Sequence, residues 1–309
     1  MRRRVVDPVQ LVEVGPRDGL QMLDTFVPTS QKLALLRGLY GAGVRRIEIG
    51  SFVSASAVPQ LADVRELLSA AQELPGLDSQ ILVATARRGV EAGETGARHL
   101  VFVLSVSEKH NARNVHRTPR ESIREYARLL DRIPAQTSIR LDVSTAFDCP
   151  FDGPIAEETT VTLVSELAQM RTDVEIALCD TTGRVTPEAV DGLFRSCFAA
   201  IPRVERWAFH GHDTYGMGIA NVVAAWQAGV RIFDASFGGL GGCPFAPGAT
   251  GNVATEDLVW MFDRMGVLTG VHLESLVAVA REAANLPGAI PGGRVREALI
   301  AARRLECVS

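Results

Sequence analysis

"SIRLDVS" (138–144), "IAEETTVTLVSELAQM" (155–170) and "VEIALC" (174–179) follow one another with few residues between them. The first and third segments are short and rich in Val, Ile and Leu, which is typical of buried strands. The middle segment has apolar residues at helical spacing. A strand, a helix and a second strand in this order predict two parallel strands joined by a crossover helix.

The same alternation continues in both directions along the chain. The further predicted strands are "LVEV" (11–14), "VRRIEI" (44–49), "QILVAT" (80–85), "HLVFVLS" (99–105), "RWAFHGH" (206–212) and "VRIFDAS" (230–236). Eight strand–helix units without a break predict an α/β fold, a (β/α)₈ TIM barrel, as a single domain over residues 1–309. An open doubly wound sheet is the alternative, but no G-x-G-x-x-G follows the first strand. From about residue 267 the sequence predicts additional C-terminal helices packed on the barrel.

The composition and net charge indicate which class of molecule the protein binds. The chain has 309 residues, a net charge of −4 and 47% hydrophobic residues. No sequence-wide basic charge exists to attract nucleic acid or anionic lipid, so we expect a small-molecule partner and no membrane partner. Five cysteines without clustered spacing favour free thiols in a reducing cytoplasm. Asp7 and Pro8 interrupt the apolar run that a signal peptide needs.

Polar residues cluster where the predicted strands end. TIM-barrel enzymes place their chemistry at the C-terminal ends of the strands, so a barrel would gather these residues around one mouth. The residues are Arg17 and Asp18 after the first strand, Glu48 at the end of the second, Asp180 after the sixth, His210 and His212 on the seventh, and Cys243 and Asn252 after the eighth.

"FHGHDTYG" (209–216) places two of the six histidines one residue apart. Side chains two apart on a strand point to the same face, so His210 and His212 either share a metal or form a polar strand end. Zinc is one option, but no cysteine lies nearby at motif spacing. Two imidazoles with Asp18 and Asn252 describe a mixed nitrogen and oxygen site, which Mg²⁺ or Mn²⁺ fits better.

Several segments together resemble the hydroxymethylglutaryl-CoA lyase family, part of a superfamily of metal-dependent barrel lyases and Claisen-type synthases. They are "VEVGPRDGLQ" (12–21), "IEIGSFVS" (47–54), "CPFDG" (149–153), "CDTTG" (179–183), "FHGHDTYGMGIAN" (209–221) and "GGLGGCPFAPGATGNVATEDLV" (238–259). Synthases usually read H-x-H-N-D and carry a long regulatory extension, and neither feature is present here. The resemblance therefore favours the lyase branch and implies cleavage of a 3-hydroxyacyl-CoA to acetyl-CoA and a keto acid.

The resemblance also implies roles for individual residues. Asp18, His210, His212 and Asn252 match the family's ligands for a divalent cation, Mg²⁺ or Mn²⁺. Arg17 matches the arginine that stabilises the enolate, and the implied catalytic set is completed by Cys243, Glu48 and Asp180. Substrate contacts are expected at Arg17, Gln21, Ser51, Lys109 and Arg113, with an acyl-CoA as the partner and a homo-oligomer as the assembly.

Each residue also has a plainer interpretation. Cys243 could be a small packing residue, and Arg17 could form an ordinary loop salt bridge. Asp180 could cap the helix near Thr186, and Glu48 could pair with Arg46 or another surface cation. "EKHNARNVHR" (108–117) could be a solvated loop instead of a site for coenzyme A phosphates.

The sequence departs from the family pattern at positions that we expect near the barrel mouth: Asp24, Ser56, Ala57, Ala86 and Met217. Polar and bulky groups are exchanged there for small or apolar ones. This predicts that 3-hydroxy-3-methylglutaryl-CoA is a poorer substrate than an analogue with a longer or bulkier acyl group. A Claisen-type synthase and a metal-binding protein without turnover are the alternative functions.

Overall fold

A computed structural model of the protein describes residues 7–242 and 251–306, with side chains described as far as residue 302. Eight parallel strands close into a barrel in the order β1-β8-β7-β6-β5-β4-β3-β2. The strands are β1 Gln10–Glu13, β2 Arg46–Ser51, β3 Asp78–Val83, β4 His99–Ser105, β5 Ser138–Ser144, β6 Glu175–Asp180, β7 Arg206–Gly211 and β8 Ile232–Ala235. Each overlaps a predicted strand, so the predicted TIM barrel is confirmed.

The barrel closes where the first strand meets the last. β1 pairs with β8 over four residues, from Gln10 opposite Ile232 to Glu13 opposite Ala235. On its other edge β1 pairs with β2, with Glu13 opposite Ile47. The two ends of a long stretch of chain are therefore hydrogen-bonded side by side.

Helices surround the barrel. They are α1 Thr29–Gly41, α2 Val64–Gln72, α3 Ala86–Glu94, α4 Glu108–Val115, α5 Pro119–Leu130, α6 Glu157–Met170, α7 Pro187–Ala200, α8 Gly218–Ala228, α9 Thr255–Arg264, α10 Leu273–Ala284 and α11 Val295–Glu306. The last two follow the eighth strand–helix unit, as predicted for the C-terminal residues. Leu276 and Ala280 of α10 are fully buried in the main apolar core. Within the described ranges, none of the helices combines the length and apolar character that crossing a bilayer requires.

Successive residues of each strand face either the helices outside the barrel or the interior of the barrel. On β5, Ile139, Leu141 and Val143 belong to the large apolar core. Arg140 and Asp142, between them, are buried as well and do not belong to it. Since neighbouring residues of a strand face opposite sides, the apolar set packs under the helices while the charged set points into the barrel. A small apolar cluster shares that interior: Val12, Val14, Ala177, Ala208 and Ile232.

Candidate active site

The loop after β1 positions Arg17 and Asp18 on one wide helical turn, Gly15–Gly19. The buried Glu13 carboxyl group holds this turn against the segments that follow β8. Its Oε1 accepts from the backbone N–H of Gly15 at 2.8 Å and of Phe237 at 2.9 Å, and Oε2 accepts from Thr255 Oγ1 at 2.7 Å. Burial raises the pKa of Glu13 to about 8, against the lowering effect of these hydrogen bonds. The turn is thus fixed before any ligand binds.

Asp18 lies beside Arg17 and the two histidines. Burial alone would raise its pKa, but Arg17, His210 and His212 outweigh that effect and lower it. Arg17 Nη1 donates directly to Asp18 Oδ1, and Asn252 Nδ2 donates to Oδ2 at 2.7 Å. The Asp18 carboxylate is therefore ionised and held from both sides.

β7 and the residue after it position the two histidines beside Asp18. His210 is the fifth residue of β7, and His212 follows the strand and forms a bridge with Asn252. The ring centroids lie 5.0 Å apart, which confirms that both side chains point the same way. His210 Nδ1 lies 2.9 Å from Asp234 Oδ2, and His212 Nδ1 lies 2.7 Å from the carbonyl oxygen of Asp180. Each ring therefore uses Nδ1 for the protein and leaves Nε2 for another partner.

The two imidazoles have different proton affinities. Burial and the neighbouring His210 lower the pKa of His212 to about 4. Burial acts in the same direction on His210, but the hydrogen bond and charge of Asp234 outweigh it and raise that pKa. His212 is neutral at physiological pH and offers a lone pair to a cation.

Asp18, His210 and His212 can hold a metal ion, because one ligand atom from each lies within 4.8 Å of the others. Two buried atoms beside them, His212 Nε2 and Asn252 Oδ1, have no hydrogen-bond partner within the described part of the chain. Buried polar atoms are rarely left unpaired, and a cation would satisfy both. One carboxylate, two imidazoles and one amide oxygen form a mixed nitrogen and oxygen donor set for a divalent cation.

Arg17 is oriented by Glu48 as well as by Asp18. Its Nε lies 2.6 Å from Glu48 Oε1 and its Nη2 lies 3.3 Å from Oε2, a two-point contact that fixes the guanidinium plane. Glu48 is buried in the middle of β2 and not at its end, because the strand continues to Ser51, two residues beyond the predicted end at residue 49. The alternative pairing of Glu48 with Arg46 is also wrong, since Arg46 binds Glu175 instead. Burial raises the pKa of Glu48 to about 7, against the lowering effect of Arg17.

Asp180 ends β6 and shapes the neighbouring turn. Its Oδ1 accepts from the backbone N–H of Gly183 at 2.9 Å, while its Oδ2 is buried without a partner among the described residues. Burial raises its pKa to about 6. Asp180 does not cap α7, because Thr186 does so through its own hydroxyl.

A cavity of about 210 Å³ opens above this cluster at the C-terminal ends of the strands. Its polar lining includes Arg17, Asp18, Gln21, Ser51, His110, Asp142, His210 and His212, and its apolar lining includes Val53, Val58, Leu82, Ala84, Val103 and Val115. The predicted convergence of strand ends on one mouth is thus present in the structure. Cys243 lies outside the described residues.

A model of the HMGL-like family matches residues 8–282. The chain belongs to the HMGL-like family. It is 40% identical over 272 residues to the mitochondrial hydroxymethylglutaryl-CoA lyase of Arabidopsis thaliana, a match that covers 87% of this chain and 58% of the plant protein. It is 39% identical over 289 residues to the (R)-citramalyl-CoA lyase of Chloroflexus aurantiacus, covering 89% and 90% of the two chains.

Solved structures of HMGL-like proteins have the same fold. One is a hydroxymethylglutaryl-CoA lyase from Acinetobacter baumannii in complex with coenzyme A and 3-methylmalate. It superposes with a TM-score of 0.89 at 37% identity, covering 96% of this chain and 97% of that chain. The predicted family, fold and enzyme class, a carbon–carbon lyase, are confirmed.

Other expected contacts lie away from the cavity of this HMGL-like chain. Lys109 and Arg113 are on the exposed side of α4, where Lys109 pairs with Asp152 and Arg113 stacks over the Phe151 ring at 3.9 Å. Both therefore bind the short hairpin at 148–154. The five departures from the family pattern are also outside the cavity lining: Asp24, Ser56, Ala57, Ala86 and Met217.

Sequence reasoning missed three buried charges that contact the site of this HMGL-like chain. Asp142 lines the cavity, Asp234 binds His210, and Arg140 binds both carboxylates. A signal was present in "SIRLDVS" and "VRIFDAS", where charged residues interrupt buried strands at positions that face the barrel interior. Charges buried in a strand need partners, so they point to a polar network inside the barrel.

Proposed function

We propose that this protein cleaves the carbon–carbon bond of a 3-hydroxyacyl-CoA ester, releasing acetyl-CoA and a keto acid, with Mg²⁺ or Mn²⁺ bound by Asp18, His210, His212 and Asn252. The observation that carries the proposal is a pair of buried atoms, His212 Nε2 and Asn252 Oδ1, that have no partner in the described part of the chain. They lie beside an ionised carboxylate and the oriented Arg17. The citramalyl-CoA lyase relative and the coenzyme A complex of the neighbouring structure support a CoA ester as substrate.

The reaction removes the proton of the 3-hydroxyl group, breaks the adjacent carbon–carbon bond and leaves an electron pair on the thioester fragment. A bound divalent cation lowers the pKa of a coordinated hydroxyl and polarises the carbonyl that forms. Arg17 is a fixed cation in the cavity and stabilises the negative oxygen of the enolate. Because Glu48 holds the guanidinium at two points, little reorientation is needed when that charge develops.

Proton transfers complete the reaction. We propose two of the described groups as acceptors of the hydroxyl proton. They are Asp180, whose Oδ2 has no partner within the described ranges, and Glu48, whose oxygens contact Arg17. We assign protonation of the enolate to the Cys243 thiol. The acetyl-CoA methyl group then carries the proton donated by the thiol, and the other carbon of the broken bond leaves in the keto acid. The proton taken from the hydroxyl is released to solvent, and the Cys243 thiolate takes up one proton from solvent, so the enzyme returns to its starting state.

The apolar wall of the cavity supports a substrate with a 3-alkyl group larger than methyl. Val58, Leu82, Ala84 and Val103 are side chains without hydrogen-bonding groups, and all four line the cavity. An extra methylene in such a pocket contributes about 1–3 kcal/mol. These residues support the larger alkyl group, whereas the five departures from the family pattern lie outside the cavity lining. Contact of Lys109 and Arg113 with coenzyme A phosphates stays a prediction, as does a homo-oligomer.

The test uses the purified protein with Mg²⁺ or Mn²⁺ and a panel of 3-hydroxy-3-alkylglutaryl-CoA esters and citramalyl-CoA. We expect acetyl-CoA and the matching keto acid in equal amounts, and loss of turnover after chelation of the metal. Formation of a longer CoA ester from acetyl-CoA and a keto acid, without cleavage, would show a Claisen-type synthase. Cation binding without turnover of any ester would show a metal-binding protein and would refute the proposal.

A further inference from the structure

A chain of buried ions crosses the inside of the barrel and reaches the candidate metal site. Its centre is Arg140 on β5, which is 1% exposed. Arg140 Nη1 lies 2.9 Å from Asp234 Oδ1 and Nη2 lies 2.5 Å from Oδ2, a two-point contact across the barrel to β8. A fully buried guanidinium with this geometry fixes the Asp234 carboxylate in one orientation.

The same carboxylate contacts His210. Asp234 Oδ2 lies 2.9 Å from His210 Nδ1. An ionised carboxylate only accepts hydrogen bonds, so the Nδ1 atom of His210 must carry the proton in this pair. In a neutral imidazole the other nitrogen, Nε2, then holds the lone pair, which is what a metal ligand requires.

Arg140 is itself anchored by other acids. Its Nε lies 2.7 Å from Asp142 Oδ1, and its Nη1 lies 3.4 Å from Glu175 Oε1. Glu175 begins β6 at the opposite end of the barrel, where Arg46 binds it at 2.7 and 2.9 Å. No contact joins Glu175 to any of the four candidate metal ligands among the described residues. Asp234 and Glu175 are thus both buried carboxylates that contact Arg140. Of these two, only Asp234 contacts a candidate metal ligand.

We propose that Asp234, locked by Arg140, is a positioning residue that sets the tautomer and ring orientation of His210 and so presents Nε2 to the divalent cation. The proposal rests on the metal site of the proposed function. Hydrogen-bond acceptors behind a ligating histidine typically contribute 10–100-fold to metal affinity. His212 receives the equivalent support from the Asp180 carbonyl, so the two rings are oriented by different means.

The first experiment requires no substitution of Asp234. Imidazole ¹⁵N shifts of the metal-free protein, recorded at alkaline pH where the rings are neutral, report which nitrogen carries the proton. His210 is assigned by the signal that disappears in His210→Gln. We expect the Nδ1–H tautomer for His210. An Nε2–H tautomer would overturn the proposal, whatever the protein's activity.

The second experiment compares Asp234→Asn with the matched control Glu175→Gln, by Mn²⁺ affinity from electron paramagnetic resonance without substrate. We expect a 10–100-fold loss for Asp234→Asn and less than about 3-fold for Glu175→Gln. Equal losses would mean that Asp234 acts only through Arg140 and the packing of the barrel. If wild type binds no Mn²⁺, the metal role is refuted together with the proposed function. If wild type binds Mn²⁺ but cleaves no ester, the proposed function fails while the role of Asp234 stands.

Discussion

Asn252 donates its side-chain N–H to Asp18 across 234 residues of sequence, with Nδ2 2.7 Å from Oδ2. The same amide nitrogen lies 3.0 Å from the carbonyl oxygen of Leu240. Because both contacts involve Nδ2, the amide plane is fixed, and Oδ1 on its other side has no partner among the described residues. One hydrogen-bonded pair thus joins the first and last loops of the barrel mouth and presents an oxygen to the candidate cation.

Replacing Asn252 should weaken cation binding more than it weakens the fold. Asn252→Ala removes a ligand oxygen and one of the donors that hold Asp18, so we expect Mn²⁺ affinity to fall by about 10-fold or more. Isothermal titration with Mn²⁺ measures it. Asn221→Ala is the matched control, because Asn221 is also buried and its Nδ2 donates to the Val185 carbonyl, away from the candidate metal site. Similar affinities for the two variants would exclude Asn252 as a ligand.

Loss of the Glu48 carboxylate should impair the chemistry of Arg17. Glu48→Gln removes one anion from the two-point contact, and we expect kcat/KM to fall about 10²–10³-fold, as for a misplaced electrostatic stabiliser. Steady-state kinetics on the best ester of the panel measures the effect. Asp63→Asn is the control, since Asp63 forms a buried pair with Lys32 outside the cavity. It should lower the free energy of unfolding and leave turnover per folded molecule intact, and a normal rate for Glu48→Gln would contradict our assignment.

Glu13 should make stability depend on pH. Its pKa rises from the ordinary 4.5 to about 8 on folding, chiefly because the carboxyl is buried. The folded state then binds more protons than the unfolded state between these values, so stability falls as pH rises from about 5 to 8. The slope for one such group is about 1.4 kcal/mol per pH unit. Denaturant unfolding of Glu13→Gln across this window should give a flatter curve than wild type.

Glu175→Gln is the control for this prediction, because folding shifts the pKa of Glu175 in the opposite direction to that of Glu13. Burial would raise the pKa of Glu175, but Arg46 and Arg140 outweigh it and lower the pKa. Its stabilising contribution is present above the ordinary pKa and is lost as pH falls, so this variant should leave the slope between pH 5 and 8 unchanged. Parallel curves for wild type and Glu13→Gln would show that Glu13 is already ionised in the folded protein.

Filling the cavity should change substrate preference. Ala84→Leu adds three carbon atoms to the apolar wall, so we expect kcat/KM to fall by about 10–200-fold more for an ester with a long 3-alkyl group than for the methyl ester. Ala62→Leu is the control, because Ala62 is exposed and does not line the cavity. An equal effect on both esters would place the alkyl group elsewhere.

The alternation of short apolar runs with helical patterns was sufficient to predict most of this architecture. This alternation predicted all eight strands. The rule that barrel sites lie at strand ends predicted that one site contains Arg17, Asp18, His210 and His212. The sequence pattern could not show which inward-facing side chains form contacts with one another across the barrel. Arg140 and Asp234 come from strands that are not neighbours in the sheet, so their contact depends on the curvature of the closed barrel. The pairing of Lys109 with Asp152 could not be predicted for a related reason, since Asp152 lies on a hairpin with no periodic signal.

Because β1 pairs with β8 and Asp18 with Asn252, the cation site exists only after the two ends of the barrel have met. Contacts this distant in sequence form slowly and late in folding. A cation that binds only the closed barrel leaves the early steps of folding unaffected and slows the opening of the β1–β8 seam. Saturating metal should therefore lengthen the lifetime of the native state more than it shortens the time needed to reach it.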